Sequence, residues 1–567
     1  MRTKYYLITL LSALTLASCN YLDFDETNGL KTKEDMYKYF GTTESMLTHV
    51  YSFMPQPAVL STNPSNLSLH DCASDDAEFG NAAYSIQYMN NGNWSPIKTY
   101  DTAWDLYNGI RAANSFIDEI AKVDFSRYEH DGSYQNWMKK LKFFPYEARV
   151  LRAYYFFELA RRYGDIAMPL KVLDKEEANS IAKTPFNEVI NFIATECDDA
   201  AKVLPDSYTN QPEQQVGRIT KGFAMAVKSK ALLYAASKLH NPSMNADLWK
   251  NSAKAAQDII DLNIYSLAPQ ESANNVNSKE VVLMRMNSEN YEFEKQNFPI
   301  RFVDGKRSNS LLDLGNFPSQ NLVDAFETVN GYTVTLENTG WVCQDPQFNP
   351  QKPYDLRDPR FYRTILANGM TFKEKTIETF VGGDDNKAVS AGGSPTGYFL
   401  RKYIQESTSF APDNEVKNKH HWVIYRYAET LLTYAESMIN AFGDPSYTDQ
   451  TYKYSASWAL NEVRKNAGMP VITTADKEEF IKRLYNEWRV EFAFEDHRFW
   501  DVRRWKIADT TQRELYGVKI EKQSNGTLSF YKNLYSTRKW KECMYLYPIP
   551  QDELYKNTNL NPQNTGW

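Results

Sequence analysis

Residues 137–164 read WMKKLKFFPYEARVLRAYYFFELARRYG, and this stretch decides the fold class. Leu151, Tyr154, Tyr155 and Leu159 recur at i, i+3, i+4 and i+8, the spacing of one helical stripe, and Gly164 stands just past the last Tyr as a stop. The reading is one long amphipathic helix over 137–163. Its antiparallel neighbour is expected over 97–122, where Trp104, Tyr107, Ile110 and Ala113 repeat at similar intervals. Working outward, a helix over 185–203 opens behind Thr184 as N-cap, and one over 220–239 carries Phe223, Val227, Ala231, Tyr234 and Ala235 on one stripe. Further helices are expected over 246–262, 425–441 and 452–467, and 477–505 closes the helical part. Small residues such as Ala235, Ala236 and Ala435 suit close helix contacts. The fold class expected is therefore mostly α, a degenerate tetratricopeptide-like helical-hairpin array without a strict 34-residue consensus.

Between 266 and 422 this periodicity fails. The segment is rich in Asn, Gly, Pro and aromatics, has a short alternating piece at 332–336, and carries glycine pairs at Gly382-Gly383 and Gly392-Gly393. A structureless loop of that length inside a compact domain is improbable, so an inserted loop-rich subdomain with short strands is expected. The array then spans about 97–265 and 423–508, with a C-terminal loop segment over 509–567. Loops held on a rigid frame are where binding usually resides.

The N-terminus reads as an export signal over residues 1–18. Arg2 and Lys4 supply a positive start, and the apolar run 7–16 is too short to span a bilayer. Leu16-Ala17-Ser18-Cys19 matches a lipobox, in which Cys19 receives diacylglycerol and becomes the first mature residue. Residues 19–32 then form a polar, acidic tether. Asp23, Asp25, Thr27 and Glu34 fall at offsets 1, 3, 5 and 12 of a calcium loop, but Gly29 stands at offset seven where six is needed. Cys72, Cys197, Cys343 and Cys543 show no zinc spacing, and three disulfide connectivities remain open beside free buried thiols.

With 42% hydrophobic and 24% charged residues in 567, the balance is globular. A formal net charge of −7 offers no basic surface for nucleic acid. Aromatics make up 14% of the chain, a surplus that suits thick helix packing or ligand stacking. GxSxG, HExxH, P-loop and GxGxxG motifs are lacking, and no cofactor is expected.

Several phrases then occur in a fixed order. They are Tyr107-Asn108-Gly109-Ile110-Arg111 with Asn114; Glu147-Ala148-Arg149 followed by Leu151 to Tyr155; Gly217-Arg218-Ile219-Thr220-Lys221-Gly222; and Pro318 to Asp324. Next come Asp358-Pro359-Arg360, Tyr425-Arg426-Tyr427-Ala428-Glu429 with Tyr434-Ala435-Glu436, and Asn461-Glu462-Val463-Arg464. The last are Glu491-Phe492-Ala493-Phe494-Glu495, Arg498 to Trp505, Tyr547-Pro548-Ile549-Pro550 and the terminal Asn561-Pro562 to Trp567. With the lipobox, this order over the mature chain resembles the SusD/RagB outer-membrane nutrient-binding lipoproteins. His497 departs from the Gly that many members carry before Arg-Phe-Trp-Asp.

The resemblance implies a lipid-anchored protein facing the cell exterior. It would capture oligosaccharide, or in some relatives peptide, and cover the mouth of a TonB-dependent, SusC-like outer-membrane transporter. Two or three ring stacks and a few hydrogen bonds at roughly 1 kcal/mol each give a Kd on the order of 0.1 to 1 mM. In relatives, loops near 71–100 line the ligand face, and candidates there are Asp75, Glu78, Tyr84, Asn91 and Trp94. The second expected region, 284–341, offers Tyr291, Arg307, Asn316 and Trp341. Trp94, in a polar turn with little core to join, is the expected stacking platform, with Trp341 as a second. Read from residues alone, the Arg498 to Trp505 run should pin a helix by ion pairs and Trp packing. The other function classes are a surface glycosidase using Glu491, Glu495 or Asp501, and a purely structural helical adaptor.

Overall fold

The structure, a computed structural model, describes residues 32–56, 68–208, 216–269, 278–305, 307 and 312–567. Cys19, the signal segment and almost the whole tether lie outside the described residues. The long helices are α1 (Phe40–Ser52), α2 (Leu106–Ile120), α3 (Tyr134–Leu141), α4 (Phe144–Tyr163), α5 (Phe186–Ala201), α6 (Lys221–Ala236) and α7 (Ala246–Asp261). After the insert come α8 (Tyr427–Phe442), α9 (Ala456–Asn466), α10 (Lys477–Glu491) and the short α11 (Arg498–Arg504).

Packing follows chain order. Helix α2 lies on α1 and α4, α4 on α5, α5 on α6 and α6 on α7; α8 then docks directly on α7 and receives α9 and α10. The molecule is thus the helical array expected, interrupted by an insert that returns the chain to the array where it left. Caps fix several starts: Thr220 accepts a hydrogen bond from the Phe223 N–H at 3.3 Å, and Asp476 accepts from Glu479 at 2.8 Å.

Several boundaries differ, each for a visible reason. The helix expected over 137–163 is two, α3 and α4, with Pro145 in the first turn of α4, where its missing N–H costs nothing. Helix α4 is also buried nearly all round rather than amphipathic, because α2 and α5 cover it from two sides. Residues 97–105 are not helical, since Asp101 and Ala103 adopt positive φ. Thr184 does not cap α5. It pairs in a short strand with Ile166, and Asp165 accepts from the Phe186 N–H at 2.8 Å instead. The last expected helix breaks between α10 and α11, where Phe494 and Asp496 are left-handed.

Among its described residues the insert holds only short strands, each in an antiparallel pair, one of them with a strand that precedes the array. In chain order the strands that matter are β1 (Ala77–Phe79), β2 (Val281–Arg285), β3 (Asn316–Pro318), β4 (Val334–Glu337), β5 (Gly340–Cys343) and β6 (Trp422–Arg426). β1 pairs with β3, β4 with β5, and β2 with β6. The C-terminal segment is not all loop. β7 (Glu514–Lys522) and β8 (Leu528–Thr537) form a long hairpin resting on β4 and β5.

The phrases picked out of the sequence meet in space. Arg218 binds Glu147 at 2.6 Å. Arg360 bridges Asp358 at 2.7 Å, Glu487 at 2.6 Å and Glu491 at 2.8 Å. Arg426 binds Glu280 at 2.7 Å, Glu491 at 2.6 Å and Glu495 at 2.8 Å, and Arg464 holds Glu487 and Glu327. Arg504 and the Trp505 indole both reach Glu436, and Trp505 stacks on Tyr485 at 3.7 Å. These pairs are buried, so each charge depends on its partner. Burial alone would raise the Glu491 carboxyl, but Arg426 and Arg360 outweigh it and hold it at about 2. The four described cysteines are free thiols.

Candidate functional site

Most residues expected to meet ligand are spent on the fold. Trp94 is 2% exposed, with Tyr547 and Trp567 edge-on to it at 4.7 and 5.0 Å; the assignment as an open platform is corrected accordingly. Asp75 is buried in a two-pronged pair with Arg498 at 2.8 and 2.9 Å. Buried Glu78 accepts from Gln87 and Arg538. Arg307 is buried and donates to the backbone carbonyls of Lys295, Phe298, Leu312 and Leu314. Asn316, buried in β3, accepts from the Leu69 N–H at 2.8 Å and donates to Asn297. Tyr84 and Tyr291 are half-buried against Phe79 and Phe410. Trp341 is half-buried between Tyr354 and Phe530. Asn91 alone is exposed, and it closes a local turn by accepting from the Asn93 N–H. The structure does not bring these nine side chains together into one site.

A cavity of about 460 Å³ opens instead among α1, α2, α4 and the β2–β6 pair, a size in the range of small-ligand sites. Trp422 of β6 and Arg285 of β2 stand directly opposite in register, so their side chains leave the same sheet face side by side. Tyr154 of α4 and Gln56, just past α1, complete that wall. Three polar groups here lack partners among the described residues. The Gln56 Oε1 is buried without a hydrogen bond. Around the Tyr154 hydroxyl there are only charges at a distance. Arg285 feels the phenols of Tyr155 and Tyr154 but no carboxylate, and its burial lowers its pKa. Polar groups left unpaired around one cavity are what a ligand would satisfy.

The cavity floor is a closed charge cluster. His70 lies between Asp496 at 2.6 Å and Asp101 at 2.7 Å, stacked on Phe499. Arg161 pairs with Glu158 and Asp496, and Arg162 with Glu158 and Asp101. Burial disfavours the charged imidazole, yet Asp101 and Asp496 outweigh it and hold His70 at about 9. Asp71 is pushed up to about 8 by burial and by the Asp76 and Asp496 carboxylates. Since the folded-state pKa of His70 lies above the ordinary value near 6.5, its stabilisation is complete below about 6.5 and lost as pH rises through about 9. The gap in melting temperature between wild type and His70→Asn should therefore be widest near pH 6 and close above pH 9. A gap independent of pH would refute a charged His70.

A second cleft, about 260 Å³, lies between α2, the 167–181 stretch and the C-terminal tail. Trp104 and Tyr107 form an aromatic corner there, their rings 5.0 Å apart. Its polar groups are already used: Tyr107 donates to Ala167 O, Arg111 to Leu173 O, and Asn114 to Pro169 O and Lys171 O. The Tyr107 to Asn114 phrase is a clasp for backbone, with less left over to orient a ligand. The carboxylates weighed for glycosidase chemistry are no better placed. Glu491, Glu495 and Asp501 are buried on Arg426, Arg360, Lys402 and Arg504, and Glu491 is held down at about 2 where a general acid needs a raised value.

Sequence reasoning missed Arg285, Tyr154 and Trp422 as a group. Its second region began at residue 284, but a lone Arg ending an apolar run carries no local signal of an unpaired charge. Only the strand pairing joins it to residue 422.

Comparison with known proteins agrees with this architecture. The family described as SusD family matches residues 279–567, and one described as starch-binding associating with outer membrane matches residues 20–233. SusD-like protein P2 of Formosa agariphila is 22% identical over 578 residues, covering 100% of both chains. The crystal structure of a SusD-like protein from Bacteroides fragilis superposes with a TM-score of 0.76 at 25% identity, over 94% of this chain and 99% of that one. A SusD-like carbohydrate binding protein from the same species gives 0.73 at 24% identity, over 93% and 100%. A laminarin binding SusD-like protein gives 0.59 at 21% identity, over 93% and 99%.

Proposed function

Because this chain belongs to the SusD family, we propose that it captures oligosaccharide at the outer membrane without altering it and passes it to a TonB-dependent, SusC-like transporter. In this reading Cys19 carries the lipid that anchors the protein on the exterior face, with the cavity between α4 and the β2–β6 pair as the capture site. The observation that carries the reading is the pair of polar groups without partners among the described residues, Tyr154 and Arg285, beside the largely buried indole of Trp422 in that cavity. Sugar recognition needs such a mixture, an apolar ring face or edge plus a few groups that fix orientation. The carbohydrate-binding and laminarin-binding neighbours support glycan as the ligand class, with peptide second. Anchoring carrier and transporter in one membrane raises their effective concentration, so weak contacts between them suffice.

One variant of the full chain tests the reading. Cys19→Ala should leave the membrane fraction in cells lacking the transporter, and the released protein should bind glycans on an array with Kd values near 0.1 to 1 mM. Retention in the outer membrane would refute the anchor, and an array with no bound glycan would refute the ligand class.

A further inference from the structure

Resting on the proposed capture of oligosaccharide at this cavity, we infer that the cavity selects an anionic sugar, one whose carboxylate or sulfate group seats on Arg285. The wall carries the cations His70, Arg161, Arg162 and Arg285, and among its carboxylates the exposed Asp105 accepts from Asn108. Arg161, Arg162 and His70 are each taken up by carboxylates of Glu158, Asp101 and Asp496. Arg285 is the cation left over among the described residues, and the 57–67 segment that joins Gln56 to Ser68 contains neither Asp nor Glu. No carboxylate is among the charges that act on its guanidinium, which feels the phenols of Tyr155 and Tyr154.

A guanidinium left half-buried beside a cavity stays tolerable while water fills the space. A neutral sugar that displaced this water would strip the charge of solvation and return only neutral hydrogen bonds. A sugar bearing an oxyanion would replace the water with a two-pronged, charge-assisted pair. The same residue therefore favours the acidic ligand and penalises the neutral one, which is how specificity is built. Geometry agrees: Trp422 lies opposite Arg285 in register, with Cβ atoms about 5 Å apart for such a pair. A sugar in the cavity would bring its exocyclic acid group to the guanidinium, with the Tyr154 hydroxyl left for a ring hydroxyl.

Affinity electrophoresis of the full chain tests this, using pectate, alginate, hyaluronate and a sulfated galactan, each beside its carboxyl-reduced or desulfated form, with starch and laminarin as neutral glycans. At least one acidic polymer should bind 10-fold or more tightly than its neutralised form, and the preference should weaken with added salt. Carboxyl-reduced and desulfated partners separate the two sources of the oxyanion. Arg285→Gln should abolish the preference while its melting temperature stays at the wild-type value, and Arg285→Lys should keep part of it. Equal binding of each acidic polymer and its neutral form, or a preference that survives Arg285→Gln, would overturn the inference. Binding of starch or laminarin alone would also overturn it while leaving oligosaccharide capture standing. Binding of none of the polymers would sink both.

Discussion

Replacing Trp94 by alanine is expected to lower stability by about 3 to 5 kcal/mol, the usual range for deleting a buried Trp, with glycan affinity unchanged once the protein is folded. Its indole sits against Tyr547 and Trp567, and Tyr547 in turn stacks on Trp500 of α11. The Trp94 indole N–H has no hydrogen-bond partner, so the side chain's contribution is packing alone. The terminal Trp567 donates its own indole N–H to Leu546 O at 3.0 Å, which ties the chain end to the same cluster. Two consequences can be measured by denaturant unfolding. Trp94→Phe should recover most of the loss, and Trp94→Ala with Trp567→Ala should lose less than the sum of the single variants, because the rings share one contact. Unchanged unfolding of Trp94→Ala together with weakened glycan binding would instead restore Trp94 to the ligand face.

Arg426→Met should destabilise by a similar amount, about 3 to 5 kcal/mol, for an electrostatic reason. One guanidinium serves Glu280, Glu491 and Glu495 at the junction of the insert with α10. Glu491 keeps Arg360 and Glu495 keeps Lys402 when it is removed, but the described ion pairs leave Glu280 no other cation. Burial already raises the Glu280 carboxyl against the pull of Arg426, and without Arg426 it must protonate or unfold the junction. In the wild type the lowered Glu491 contributes stability above its ordinary pKa near 4.5 that is lost as pH falls through about 2. The variant loses part of that lowering, so its deficit should hold from pH 7 to about pH 5 and shrink as pH falls from about 4.5 toward 2. Arg426→Lys should rescue little, because a single ammonium cannot replace a planar fork spread over three carboxylates. A pH-independent deficit, or full rescue by Lys, would show that packing and not charge holds the junction.

The helical array, the place of the insert and the family were legible along the chain. These rest on short-range information: stripes at 3.6-residue spacing in α4, α6 and α8, caps such as Thr220 and Asp476, and a change of composition between α7 and α8. The phrases that carried the resemblance turned out to be ion-pair partners, among them Glu147 with Arg218 and Glu436 with Arg504, so their order along the chain recorded the packing. Exposure was not legible there, because it depends on contacts between distant segments. A polar turn around Trp94 signals an open aromatic until Tyr547 and Trp567, more than 400 residues away, close over it. Asp75 looks like a ligand carboxylate until Arg498 is brought to it from 423 positions along the chain. Arg285 is the reverse case: nothing near it in sequence marks it, and its isolation appears only once β2 pairs with β6 and Asp101, Asp496 and Glu158 have found other cations. Periodicity reports what a residue's own element does with it, whereas burial and charge pairing depend on what the rest of the chain delivers to its side.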